Sequence, residues 1–92
     1  MVNRNIIKRE RDEMKIEVIL PKWGMTMQEG TIASWLVEIG ARVQEGDPLA
    51  IVETEKVETE LLSPGSGTIS EIIAAAGSTV EVGVIIAMIE SE

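Results

Sequence analysis

The chain has 92 residues, 10.0 kDa and a formal net charge of −8, enough for one small domain on a single core. It contains no Cys and no His, which excludes disulfides, thiolate or imidazole metal sites, Cys nucleophiles and Ser-His-Asp triads. A pI near 4.5 opposes binding to a phosphate backbone, and the two aromatic residues, Trp23 and Trp35, offer no stacking platform for single strands.

Residues 1–13 carry four basic and three acidic residues and few apolar ones, and are expected to be a tail or linker. Residues 14–92 carry four basic residues against 13 acidic ones, a balance of −9, and are expected to form the globular domain. The longest apolar run, Val84 to Ile89, is too short to span a bilayer, and no apolar signal segment stands at the N-terminus. A cytoplasmic domain without a membrane or nucleic-acid partner is the expectation.

Ile16, Val18 and Leu20 alternate with Lys15, Glu17 and Ile19, the period of a strand with one face buried. Residues 31–39, 49–54, 57–62, 68–75 and 85–89 read as further strands, punctuated by Gly46-Asp47-Pro48 and Pro64-Gly65 turns. Glu71 to Ala76 has helix-favouring alanines, but its repeat counterpart contains Trp35, Val37 and Ile39, so it too is assigned to strand. That repeat organises the chain: Gly30 to Glu53 aligns without gaps on Gly67 to Glu90 at an offset of 37, with eight of 24 positions identical. Two copies predict a pseudo-symmetric, all-β domain of two small sheets packed face to face. The expected core is Ile16, Val18, Leu20, Ile32, Trp35, Val43, Leu49, Val52, Leu61, Ile69, Ile72, Val80, Ile86 and Ile89.

The copies are joined by V-E-T-E-K-V-E-T-E-L-L, Val52 to Leu62. With Glu55 and Lys56 as the central residues of a hairpin turn, Thr54 faces Val57, Glu53 faces Glu58 and Val52 faces Thr59. Lys56 then stands at the tip, although the turn lacks the Asn-Gly or Asp-Gly such loops favour. A nucleophilic or Schiff-base lysine needs an apolar or cationic setting, whereas this one sits among Glu53, Glu55, Glu58 and Glu60. It is better suited to modification by another enzyme; on local composition alone, a solvated charged edge that deters strand pairing explains the cluster equally well. The glycines form no G-x-G-x-x-G or G-x-x-x-x-G-K-[ST] motif and recur with the repeat, so turn geometry accounts for them. Nothing in so small a domain suggests a substrate cleft around Glu53 and Glu58 as an acid/base pair.

E-T-E-K-V-E-T, together with L-P-K-W-G-M-T-M-Q-E-G-T-I near the start, G-D-P-L-A-I-V-E before the lysine and P-G-S-G-T-I after it, resembles the lipoyl domains of 2-oxo acid dehydrogenase complexes, whose attachment motif is E-T-D-K-A or close to it. The likeness covers Met14 to Glu92; Glu55 and Val57 are mild departures. It implies a flattened barrel-sandwich of two four-stranded antiparallel sheets, with lipoate amide-linked to Lys56 and Glu53, Thr54, Glu55, Val57 and Glu58 as recognition residues. It further implies a non-catalytic carrier, a monomeric domain modified by a lipoate ligase or lipoyl transferase. A thiamin-diphosphate decarboxylase would acylate the arm, an acyltransferase pass the acyl group to coenzyme A, and a flavin dihydrolipoamide dehydrogenase reoxidise the dithiol. The acyltransferase's H-x-x-x-D-G active site is impossible in a chain without His. Biotinyl domains share the fold but carry M-K-M where this chain has Glu55-Lys56-Val57, which favours lipoate; a biotinyl carrier of a carboxylase and an unmodified adaptor module are the alternatives. By the same resemblance, the loop bearing Trp23, Met25 and Met27 aids recognition by the decarboxylase, and K-W-G-M-T-M is similar to carriers of acetoin and branched-chain complexes. The plainer expectation is that Trp23 and one Met cap the barrel end.

Overall fold

The computed structural model describes residues 15–91; the tail assigned to 1–13, and Met14, lie outside them. The chain forms β1 (Lys15–Ile19), β2 (Glu29–Trp35), β3 (Arg42–Val43), β4 (Pro48–Glu53), β5 (Glu58–Leu62), β6 (Gly67–Ile72), β7 (Thr79–Glu81) and β8 (Ile85–Ser91). All pairings are antiparallel, in two four-stranded sheets of order β1-β8-β6-β3 and β5-β4-β2-β7. The sheets face each other as a flattened sandwich rather than a closed barrel, and no strand ladder joins them among the described residues. No helix among those residues is long and apolar enough to cross a membrane.

The repeat appears as a pseudo-two-fold operation that exchanges the sheets. At the offset of 37, β2, β3 and β4 become β6, β7 and β8, and each copy sends its short strand, β3 or β7, into the other copy's sheet. Individual bonds repeat as well. Gly40 N donates to Ile69 O at 2.7 Å and Gly77 N to Ile32 O at 2.6 Å, while Leu36 N donates to Leu49 O and Ile73 N to Ile86 O. Gly40 and Gly77, at φ of 95° and 93°, occupy the left-handed region where a side chain would be strained.

Thirteen apolar residues are buried between the sheets, ten of them in the expected core. Ile16, Trp35, Ile72 and Val80 are instead half-buried at its margin, and Ala50, Ala74 and Ala87 complete it. Register shifts between Pro48 and Ala50, and at the equivalent point of β8, turn two successive residues inward, so Leu49-Ala50 and Ile86-Ala87 are both buried. Two expected strands end early, at Trp35 and Ile72 rather than 39 and 75. In both the chain turns back before the positive-φ glycine, closed by Ala41 N to Glu38 O and Ser78 N to Ala75 O. The alanine segment is therefore neither helix nor continuous strand, because Ile73 N and Ala74 N both bond Ile86 O before the turn. The short strands β3 and β7 lie outside the expected strands, because two or three residues are too few to show a period of two.

Candidate functional site

β4 and β5 form the hairpin expected around Lys56. Glu53 pairs with Glu58 and Val52 with Thr59, and Thr54 N donates to Val57 O at 2.8 Å, leaving Glu55 and Lys56 as the two turn residues. No described residue other than glycine has positive φ, so this is not one of the primed turns that two-residue hairpins prefer. The Thr54 hydroxyl compensates. It accepts from Val57 N at 3.2 Å and Lys56 N at 3.4 Å and donates to Val57 O at 3.1 Å, a side-chain-to-backbone lock on a backbone that β-hairpin preference alone would not select.

Lys56 is exposed, and among the described residues no hydrogen bond or ion pair engages its side chain. Its position in the molecule is polar in the geometric sense. From the tip, β5 runs away to Ser63 and Gly65, and Gly65 lies directly over the Ile16 side chain near the start of β1. At the tip end, Gly30 lies against Val52, Leu20 and Met27. Lys15 pairs with Glu90, so both ends of the described domain leave from the pole opposite Lys56.

An open groove of about 530 Å³ runs beside the lysine, walled by residues 23–29 on one side and by Thr54, Glu55, Lys56 and Val57 on the other. Met27 is half-buried against the core and accepts a contact from Trp23 N at its Sδ, 3.4 Å away. It caps the end of the sandwich as expected of one methionine. Trp23, 39% exposed, and Met25, 93% exposed, both line the groove. Of the residues expected to be read by partners, Thr54, Glu55 and Val57 line the groove with Lys56, while Glu53 and Glu58 sit one rung below on the exposed ladder. Gln28 and Glu29, which belong to the L-P-K-W-G-M-T-M-Q-E-G-T-I segment, also line it.

The arrangement offers an uncommitted primary amine on a turn at the tip of a flattened sandwich, with the Glu29 and Glu55 carboxylates lining the same groove. Acylation of that amine is sterically open from solvent. A long acyl group placed there would begin at the edge of this groove and at the far pole from the ends of the described domain.

Comparison with known proteins places this geometry. The biotin/lipoyl family ("Biotin-requiring enzyme") matches residues 16–89. The chain is 47% identical over 73 residues to the dihydrolipoyllysine-residue acetyltransferase component of the pyruvate dehydrogenase complex of Corynebacterium glutamicum, covering 79% of this chain and 11% of that protein. It is 42% identical over 76 residues to the lipoamide acyltransferase component of the branched-chain alpha-keto acid dehydrogenase complex of Bacillus subtilis, covering 83% and 18%. It is 39% identical over 67 residues to the acetyltransferase component of the acetoin cleaving system of Cupriavidus necator, covering 73% and 18%. The chain thus spans less than a fifth of the length of these relatives. Its structure matches the solution structure of the lipoyl domain of the 2-oxoglutarate dehydrogenase complex from Azotobacter vinelandii with a TM-score of 0.66 at 29% identity, covering 84% of this chain and 99% of that one. With a family match over residues 16–89 and a structural match to a lipoyl domain, the chain belongs to the biotin/lipoyl family, and its likeness within that family is to lipoyl domains.

Proposed function

We propose that Lys56 is the attachment residue for lipoate, and that the domain is a non-catalytic carrier that displays this group to the active sites of a 2-oxo acid or acetoin dehydrogenase complex. The observation that carries the reading is the position of Lys56: an exposed, unengaged amine in a two-residue turn locked by Thr54, at the pole away from the ends of the described domain. The residues fit the group. Amide formation needs an accessible amine and no neighbouring catalysis, and Glu55 and Val57 replace the two methionines that flank the lysine in biotinyl domains.

When bound, lipoate supplies a dithiolane that undergoes reduction, acylation and reoxidation, chemistry that a chain without Cys cannot perform with its own side chains. The protein's share is positioning. The β4–β5 ladder fixes the lysine's Cα, the turn directs its side chain outward, and the core buried between two interleaved sheets keeps that mount rigid. The partners in this reading are a lipoate ligase or lipoyl transferase to modify Lys56, then decarboxylase, acyltransferase and flavin dehydrogenase components to use it; the relatives, acyltransferase components of dehydrogenase complexes, support the second group. Relatives from pyruvate, branched-chain, 2-oxoglutarate and acetoin systems match over similar spans, so the substrate is left at the level of a 2-oxo acid or acetoin.

Expression in cells fed labelled lipoate or labelled biotin tests the reading. Lipoate label in the protein is the expected result. Biotin label would move the domain to the carboxylases, and incorporation of neither, with both ligases active on control proteins, would leave an adaptor module.

A further inference from the structure

The pseudo-two-fold relation between the halves fails at one place, and that place adjoins Lys56. Leu20 and Ser63 are equivalent: Gly83 N donates to Leu20 O as Gly46 N donates to Ser63 O, and each residue's N–H bonds the matching carbonyl, Val84 or Asp47. Gly30 and Gly67 are equivalent through the repeat. Between Ser63 and Gly67 stand three residues, 64–66; between Leu20 and Gly30 stand nine, 21–29, an excess of six. In the shorter loop Gly65 lies directly on Ile16 and that end of the sandwich is closed. The longer loop stands away from the hairpin, and the space it leaves is the groove of about 530 Å³.

The added residues bring apolar side chains into a groove that polar groups line in equal measure. Trp23 and Met25 are exposed on it, Met27 forms part of it, and Val57, 56% exposed, faces them from the hairpin. Exposed Trp, Met and Val side chains concentrated around one groove call for an apolar occupant. Its charges are Glu29, Glu55 and the Lys56 ammonium. Conversion of that ammonium to an amide removes the groove's cation and leaves the Trp23, Met25, Met27 and Val57 side chains beside Glu29 and Glu55. Because the groove's own lining includes Lys56, a group carried on that residue reaches the groove intramolecularly, at an effective concentration on the order of millimolar or above. Even weak contacts then suffice to hold it.

We propose that the 21–29 loop is a cradle for the domain's own lipoyl arm: in the absence of a partner, the pentanoyl chain and dithiolane fold back onto Trp23, Met25 and Val57 instead of extending into solvent. This inference rests on attachment of lipoate to Lys56. The dithiolane is thereby screened from bulk thiols between encounters, and a partner gains access by displacing the arm.

The full chain is lipoylated, its adduct verified by intact mass, and nuclear Overhauser contacts are recorded between the arm and the protein. Contacts from the dithiolane and pentanoyl protons to the Trp23 indole and the Met25 methyl are expected. The Trp23→Ser/Met25→Ser double variant, with its strand amide shifts unchanged, is expected to carry the same adduct and lose those contacts. An adducted wild-type chain whose shift changes stop at residues 55–57, with no contact to the loop, would overturn the cradle while leaving the carrier reading intact. A chain with no lipoyl adduct would overturn both.

Discussion

At Lys56 the chemistry is that of a displayed amine. Lys56→Arg preserves the positive charge but offers a delocalised guanidinium in place of a primary amine. The expected outcome is an intact fold with complete loss of the adduct, seen as an unchanged far-UV spectrum and an unmodified mass. Thr54 is the second decisive residue, since its hydroxyl makes three contacts within the turn. Thr54→Val keeps the branched shape and removes the hydroxyl, and should cost about 1 kcal/mol in urea unfolding, the net worth of a typical exposed hydrogen bond or two. It should also slow lipoylation, because the turn then lacks both a favourable backbone type and its lock. Of this, the sequence reveals the lysine, the hairpin register and the unfavourable turn composition. The role of the Thr54 hydroxyl is not legible there, because it depends on Glu55 and Lys56 adopting negative φ.

Among the elements, the hairpin and the repeated glycines carry the tests. Exchanging Glu55 and Lys56 retains composition and charge but moves the amine to the first turn position, where the side chain leaves the ribbon in a different direction. Lipoylation of the exchanged variant should fall below detection while its unfolding midpoint stays within the range of ordinary surface changes. Gly30 and Gly67 are identical in the repeat yet differ in what surrounds them. A methyl at Gly67 would overlap the Glu90 carbonyl oxygen in the neighbouring strand, whereas one at Gly30 would meet the Val52 side chain at 2.8 Å. Backbone yields less readily than a side chain, so Gly67→Ala should destabilise by about 3 kcal/mol and Gly30→Ala by roughly half as much, measured by denaturant unfolding. The alternation in β1 and the repeat alignment make most strands legible; the early ends of β2 and β6 are not, because Val37, Ile39 and Ile73 continue the apolar pattern into turns that the glycines at 40 and 77 impose. Ala50 and Ala87 are buried by register shifts, which apolar periodicity does not register, although their identity in the repeat marked the pair.

The molecule as a whole is two copies of one motif that cannot be separated. Each copy's short strand completes the other's sheet, and the Trp35 indole N–H donates to Ala74 O, at 2.7 Å, across the halves. Unfolding should therefore be a single transition, with tryptophan fluorescence and far-UV circular dichroism coincident in urea, and neither half should fold when expressed alone. The interleaving also explains how a domain this small gives the lysine a rigid mount: the hairpin that bears Lys56 is the join between copies, and the paired ends of the described domain, Lys15 and Glu90, lie at the other pole. The fold class and the tip position of Lys56 were legible because the repeat and the E-T-E-K-V-E-T motif are local in sequence. The groove was not, because it arises from a loop-length difference between halves and becomes visible only when equivalent bonds are matched. The measurement that bears most directly on the central claim is the intact mass of the protein made in cells supplied with both lipoate and biotin, with peptide mapping of any adduct. A single lipoyl increment on Lys56 is the predicted result; a biotinyl increment, an adduct on Lys15 or Lys22, or an unmodified mass beside fully lipoylated controls would contradict it.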